Sequence, residues 1–124
     1  MKLFEDENSW NWVDENNVVL GFRNSSQCCE QFGYRYFAKE PTDDISLKDE
    51  EARIDSLDDF VFDTSYCIFL HNSSSDCGGY VAFRIVNKNT NETVYLTIYN
   101  HHNGWYSHGF QFKYKDNIIR EGIL

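Results

Sequence analysis

Two short runs hold most of the residue types that do chemistry. The first, Asn100-His101-His102-Asn103-Gly104-Trp105-Tyr106-Ser107-His108-Gly109, gathers three of the chain's four histidines within eight residues. Imidazole titrates near neutrality and is a common zinc ligand. Asn103-Gly104 is a tight-turn signal, because a type I′ turn needs positive φ at both central positions. Such a turn would bring His101 and His108 together at the ends of two adjoining strands. Zinc, however, needs three or four ligands, and the neighbours His101 and His102 point to opposite faces of a strand. No HExxH run and no paired CxxC spacing is present. The run therefore reads as a structural turn with no metal: Asn103 and Gly104 at the tip, Tyr106 and His108 bonded to nearby polar groups. The second run is Cys28-Cys29-Glu30. A nucleophilic cysteine needs a base and gains from a helix N-terminus. No nucleophile-elbow or papain-like pattern surrounds this one, and cysteine is among the most buried residue types. Cys28, Cys29, Cys67 and Cys77 are expected to be free thiols, since a cytosolic chain keeps its thiols reduced and no paired CxxC spacing is present; a Cys28–Cys29 bridge would also be strained. No catalytic residue and no cofactor is expected.

The elements that must position these runs are mostly strands. Apolar stretches at residues 10–13 and 18–22 flank Asp14-Glu15-Asn16-Asn17 and predict a hairpin over 10–23. Ser25 or Ser26 as N-cap and Gly33 as a stop predict a short helix over 25–33. Residues 34–37, 66–71, 80–86, 93–99 and 110–114 read as strands, the last three as an antiparallel meander. In the 80–86 strand, Tyr80, Ala82 and Arg84 fall on one side and Val81, Phe83 and Ile85 on the other. The tail is expected to pack through Ile118, Ile119 and Ile123. The predicted fold is α+β and β-rich, mainly antiparallel sheet with one or two short helices, in a single domain over 1–124. Three Trp, eight Tyr and ten Phe supply a core.

The formal net charge of −9 argues against nucleic acid and anionic membrane as partners, because both are polyanions. No stretch approaches the roughly 20 apolar residues of a membrane span. The first eight residues carry Glu5, Asp6 and Glu7 and no apolar signal core, so the expected compartment is the cytoplasm. Residues 40–59 hold nine acids and two bases, a net −7, so most of the charge is concentrated there. They read as a long acidic loop with a possible short helix. Asp43, Asp44, Asp49 and Glu50, followed by Glu51, Asp55, Asp58 and Asp59, are the candidate face for a basic partner. Trp10, Trp12 and Trp105 are the candidate aromatic contacts, because buried aromatic anchors carry affinity while rim charges carry rate.

Two stretches together resemble a known group. Gln27-Cys28-Cys29-Glu30-Gln31-Phe32-Gly33-Tyr34 and the later Tyr99-Asn100-His101-His102-Asn103-Gly104-Trp105-Tyr106-Ser107 resemble small bacterial and phage proteins. Some of these look like the immunity proteins of polymorphic or contact-dependent toxins. The resemblance runs from about residue 10 to residue 112 and leaves out the acidic loop. It implies a cytosolic, non-enzymatic protein that neutralises a cognate toxin, such as a basic nuclease, by blocking its active site. Two other readings stay open. One is a phage counter-defence protein that acts by acidic mimicry or traps a small signalling molecule. The other is a small enzyme using the histidine run with Cys28 or Cys29.

Overall fold

The computed structural model describes residues 1–25, 31–42, 51–70, 79–101 and 108–124. Within them lie nine strands: β1 (Lys2–Glu5), β2 (Ser9–Val13), β3 (Val18–Arg23), β4 (Gln31–Phe37), β5 (Phe60–Leu70), β6 (Gly79–Asn87), β7 (Thr93–His101), β8 (Gly109–Tyr114) and β9 (Asn117–Ile123). Every pairing is antiparallel. The strands form a five-stranded sheet, β1-β2-β3-β8-β9, and a four-stranded sheet, β4-β7-β6-β5.

Alternating side chains explain how the two sheets pack. Trp12, Leu20, Phe22, Phe110 and Phe112 from the first sheet meet Phe62, Val81, Phe83 and Ile85 from the second, all buried in one cluster. Phe83 touches both Phe110 and Phe112, with ring centroids 5.8 and 4.9 Å apart. Each such ring contributes roughly 2–3 kcal/mol through burial. As the alternation predicted, Val81, Phe83 and Ile85 face the interior. Tyr80 and Ala82 point the other way, into a second buried cluster with Phe37, Tyr66, Leu70 and Tyr99. The four-stranded sheet is thus buried on both faces.

Asp14 joins the sheets at one end. It is buried in the β2–β3 turn, where Oδ1 accepts the N–H groups of Asn16 and Val18, both at 2.9 Å. Oδ2 accepts the N–H of Phe62 at 2.9 Å, on edge strand β5 of the other sheet. Asn17 completes the turn with φ of 63°, which an asparagine tolerates. Beyond Phe62 the β5–β6 register shifts until Cys67. In the bulge Asp63 receives the Ser65 N–H and pairs with Arg84.

Several expectations are corrected. No helix occurs among the described residues: residues 31–33 belong to β4, and 51–59 are extended or turning, while residues 26–30 and 43–50 of the two expected helical spans lie outside the described residues. Gly33, expected to stop a helix, is a buried strand residue; a Cβ there would stand 3.0 Å from the Tyr99 hydroxyl. Strands β6 and β7 pair, but β8 leaves for the other sheet, between β3 and β9, so the meander is broken. The two strands flanking Asn103-Gly104 accordingly do not form a hairpin. A period of two sets which face a side chain takes and does not choose the neighbouring strand. The tail forms β9 and leaves Ile118, Ile119 and Ile123 exposed rather than packed.

Removing the Asp14 carboxylate leaves the buried Phe62 N–H without its partner and frees the turn. Asp14→Ala is expected to cost about 3 kcal/mol, within the range for charge-assisted bonds to buried groups. Urea unfolding measures it, and a loss under about 1 kcal/mol would contradict the clamp.

Candidate functional site

The acidic segment is partly a fitted structure. Residues 51–59 run from β4 to the start of β5, anchored at both ends. Glu51 bridges to Phe37, and the Ala52 N–H donates to the Tyr36 carbonyl at 2.7 Å. At the other end the Phe60 N–H donates to the Leu57 carbonyl at 3.0 Å, and the Lys88 N–H to the Asp59 carbonyl at 2.9 Å. The Met1 amine donates to the Leu57 and Asp58 carbonyls at 3.0 and 3.1 Å. Between these anchors Ala52, Ile54 and Leu57 pack against the main core, while Glu51, Asp55, Asp58 and Asp59 are exposed. The segment has too few apolar residues for a core of its own. Three small contacts onto an existing core serve instead.

The four carboxylates differ. Glu51 accepts an ion pair from Arg35 at 2.9 Å, with both side chains largely exposed, an arrangement worth little in water. Asp59 lies in the field of Lys88, whose ammonium is committed to Glu15 at 2.7 Å. The carboxylates of Asp55 and Asp58 have no hydrogen-bond or ion-pair partner among the described residues. Asp43, Asp44, Asp49 and Glu50 lie outside the described residues.

The aromatic candidates occupy different places. Trp12 is fully buried and its indole N–H donates to the Tyr36 hydroxyl at 3.1 Å. Burial pushes the Tyr36 phenol up to about 12, the bond from Trp12 pulling the other way. Trp12 is therefore a core residue and offers no contact surface. Trp10 is half-buried, edge-on to Tyr34 with centroids 5.2 Å apart and 5.8 Å from Phe32. Trp105 lies outside the described residues, as do Asn103, Gly104, Tyr106, Cys28, Cys29 and Cys77.

His108 joins both sheets. Only 2% of it is exposed. Its Nδ1–H donates to the Arg23 carbonyl at 2.8 Å, and its ring stacks on Phe32 of the other sheet with centroids 4.1 Å apart. Its backbone N–H donates to the Leu124 carbonyl and its carbonyl accepts the Leu124 N–H in return, each at 2.8 Å. The buried Asn100 amide donates to that same Leu124 carbonyl at 3.0 Å. One ring thus ties together strand ends from both sheets.

No family model, no curated protein and no solved structure matches this chain.

The chemistry on offer must therefore be read from the residues alone. Among the described residues no three His, Cys, Asp or Glu side chains group closely enough to hold a metal ion. No described helix is long and apolar enough to cross a membrane. Cys67 is a free, half-buried thiol, which burial pushes up to about 11 against the opposing charge of Arg120. Ile54 and Leu57 stand out in the sequence as sparse apolar residues of the acidic segment, but their spacing with Ala52 fits neither strand nor helix and gives no sign that they dock on the core.

Two measurements follow from these environments. His108→Ala is expected to lower stability by about 1–3 kcal/mol, the cost of leaving a buried partner unpaired. An unchanged urea midpoint would mean that the ring ties nothing together. Cys67 should stay unmodified by iodoacetamide at pH 8 in the folded protein and react on denaturation, because only the thiolate attacks. Peptide mapping of the alkylated protein resolves it from the other cysteines.

Proposed function

We propose that this chain is a binding protein that neutralises a basic protein toxin, its docked acidic segment meeting the toxin's active-site cleft. The observation that carries the reading is the display of Asp55, Asp58 and Asp59 as exposed carboxylates on a backbone pinned to the sandwich. A segment already held in place gives up little conformational freedom when a partner covers it. A mobile acidic tail would lose far more. Three neighbouring acids on a chain of net −9 project a field that accelerates encounter with a cationic surface. A nuclease cleft, built to hold a polyanion, is such a surface. The resemblance to immunity proteins supports the same partner class and a cytoplasmic site of action. Trp10, half-buried at the sandwich margin, is the described aromatic candidate for an anchoring contact.

Affinity capture from the source cell identifies the partner. With the purified pair, Asp55→Asn, Asp58→Asn and Asp59→Asn combined should slow association by about tenfold at low salt, and by much less at physiological ionic strength. Glu51→Gln alone should change the rate little, because Arg35 already offsets that charge. Association that is indifferent to the triple change at both salt levels would remove the acidic segment from the interface.

A further inference from the structure

The outer face of the five-stranded sheet carries two cations, Arg23 and Lys113, along a groove. Strand register places Asn11 beside Gly21, Gly21 beside Gln111, and Gln111 beside Glu121. Gly21 brings no side chain to the middle of that row, and Gly109 brings none two residues along β8. The result is an open depression of about 550 Å³ floored by these glycines. That volume is in the range of small-molecule sites.

Two cations stand at its ends. Arg23 is two residues beyond Gly21 on β3, and Lys113 is two residues beyond Gln111 on β8, in the opposite direction. Strand rise separates their backbones by on the order of 14 Å, so both long side chains can lean inward over Gly21. Neither has an ion-pair partner among the described residues, in a chain of net −9 where carboxylates are plentiful. Arg35, Arg84 and Lys88, by contrast, are each paired with an acid.

The amides between them are oriented. Asn11 Nδ2 donates to Asp6 at 3.1 Å and to Ser9 at 3.2 Å. Its oxygen accordingly lies over Gly21, 3.1 Å from where a Cβ would be. Gln111 Nε2 donates to Glu121 at 3.2 Å, which engages the one carboxylate of the groove lining, on β9, and leaves the Gln111 oxygen to accept. The middle of the groove therefore presents acceptors, and its ends present cations.

We infer that this groove binds a small linear dianion, with acidic groups at both ends for Arg23 and Lys113 and hydroxyl or amide donors between them for Asn11 and Gln111. The site is separate from the acidic segment and does not depend on the toxin-binding reading.

The test uses the full chain and D-glucarate, a six-carbon dianion with four hydroxyls. Adipate, of equal length without hydroxyls, and gluconate, with a single acid, are the comparisons. Millimolar glucarate should shift the amide resonances of Gly21, Gly109 and Gln111, and bind more tightly than either comparison. Arg23→Gln and Lys113→Gln should each weaken binding about tenfold, the loss of one charge-assisted contact. Gly21→Ala should block binding while keeping both charges, because its methyl group fills the middle of the groove. Lys115→Gln, which removes a cation resting over Tyr114, should leave binding unchanged. Thermal melts of each variant separate lost binding from lost folding. Glucarate that moves none of these resonances, or binds equally to wild type, Arg23→Gln and Lys113→Gln, overturns the assignment. So does gluconate binding as tightly as glucarate.

Discussion

One buried carboxylate decides how the two sheets meet. Asp14 cannot leave its oxygens unpaired in the interior, and the nearest donors lie on two different elements. Two belong to its own turn, at Asn16 and Val18, and the third is Phe62 on the other sheet. Satisfying all three fixes the turn conformation, covers part of an exposed strand edge and sets where β5 lies against β3. The aromatic interior of Phe62, Phe83, Phe110 and Phe112 can interdigitate only once that placement is made. At the far end His108 closes the sandwich by comparable means, with a ring on Phe32 and a bond to the Arg23 carbonyl. A non-directional apolar core is thus held in one arrangement by a few directional polar contacts at its ends.

The faces of the molecule have divided the charge. Acids gather on residues 51–59, along the side where β4 and β5 approach the start of the chain. Arg23 and Lys113, without ion-pair partners among the described residues, lie on the outer face of the other sheet. The four-stranded sheet is buried on both sides, and the five-stranded one offers its outer surface to solvent. Glycine at positions 21 and 109 makes that surface concave.

Local chemistry was legible in the sequence, and partner choice was not. The hairpin over 10–23 could be read because β-formers flank a turn of Asp and Asn. The two faces of β6 followed from simple alternation. Gly33 misled, since a glycine after a serine-rich run reads as a helix stop, while its real purpose is to make room for the Tyr99 ring. Phe110 and Phe112 fit a third meander strand as well as they fit the opposite sheet; only the rings across the interior decide. Among the candidate site residues, the exposure of Asp55, Asp58 and Asp59 followed from composition. The burial of Trp12 did not, because a tryptophan reads equally well as anchor or core. The groove was invisible, since its parts are far apart in sequence and adjacent only across strands.

The placement of β8 beside β3 has a consequence for how the protein is made. The two strands are far apart in the chain, so the inner edge of β3 has no neighbour until β8 has been made. Closing so large a loop is entropically slow, and proteins rich in distant pairings fold in milliseconds to seconds rather than microseconds. Throughout that interval the nascent β2–β3 hairpin exposes a bare edge bearing Leu20 and Phe22, an invitation to pair with the wrong chain. Strand β8, with β9 beside it, therefore acts as the lock that retires this hazard. Chains cut short before β8 would be lost to aggregation before any question of function arises.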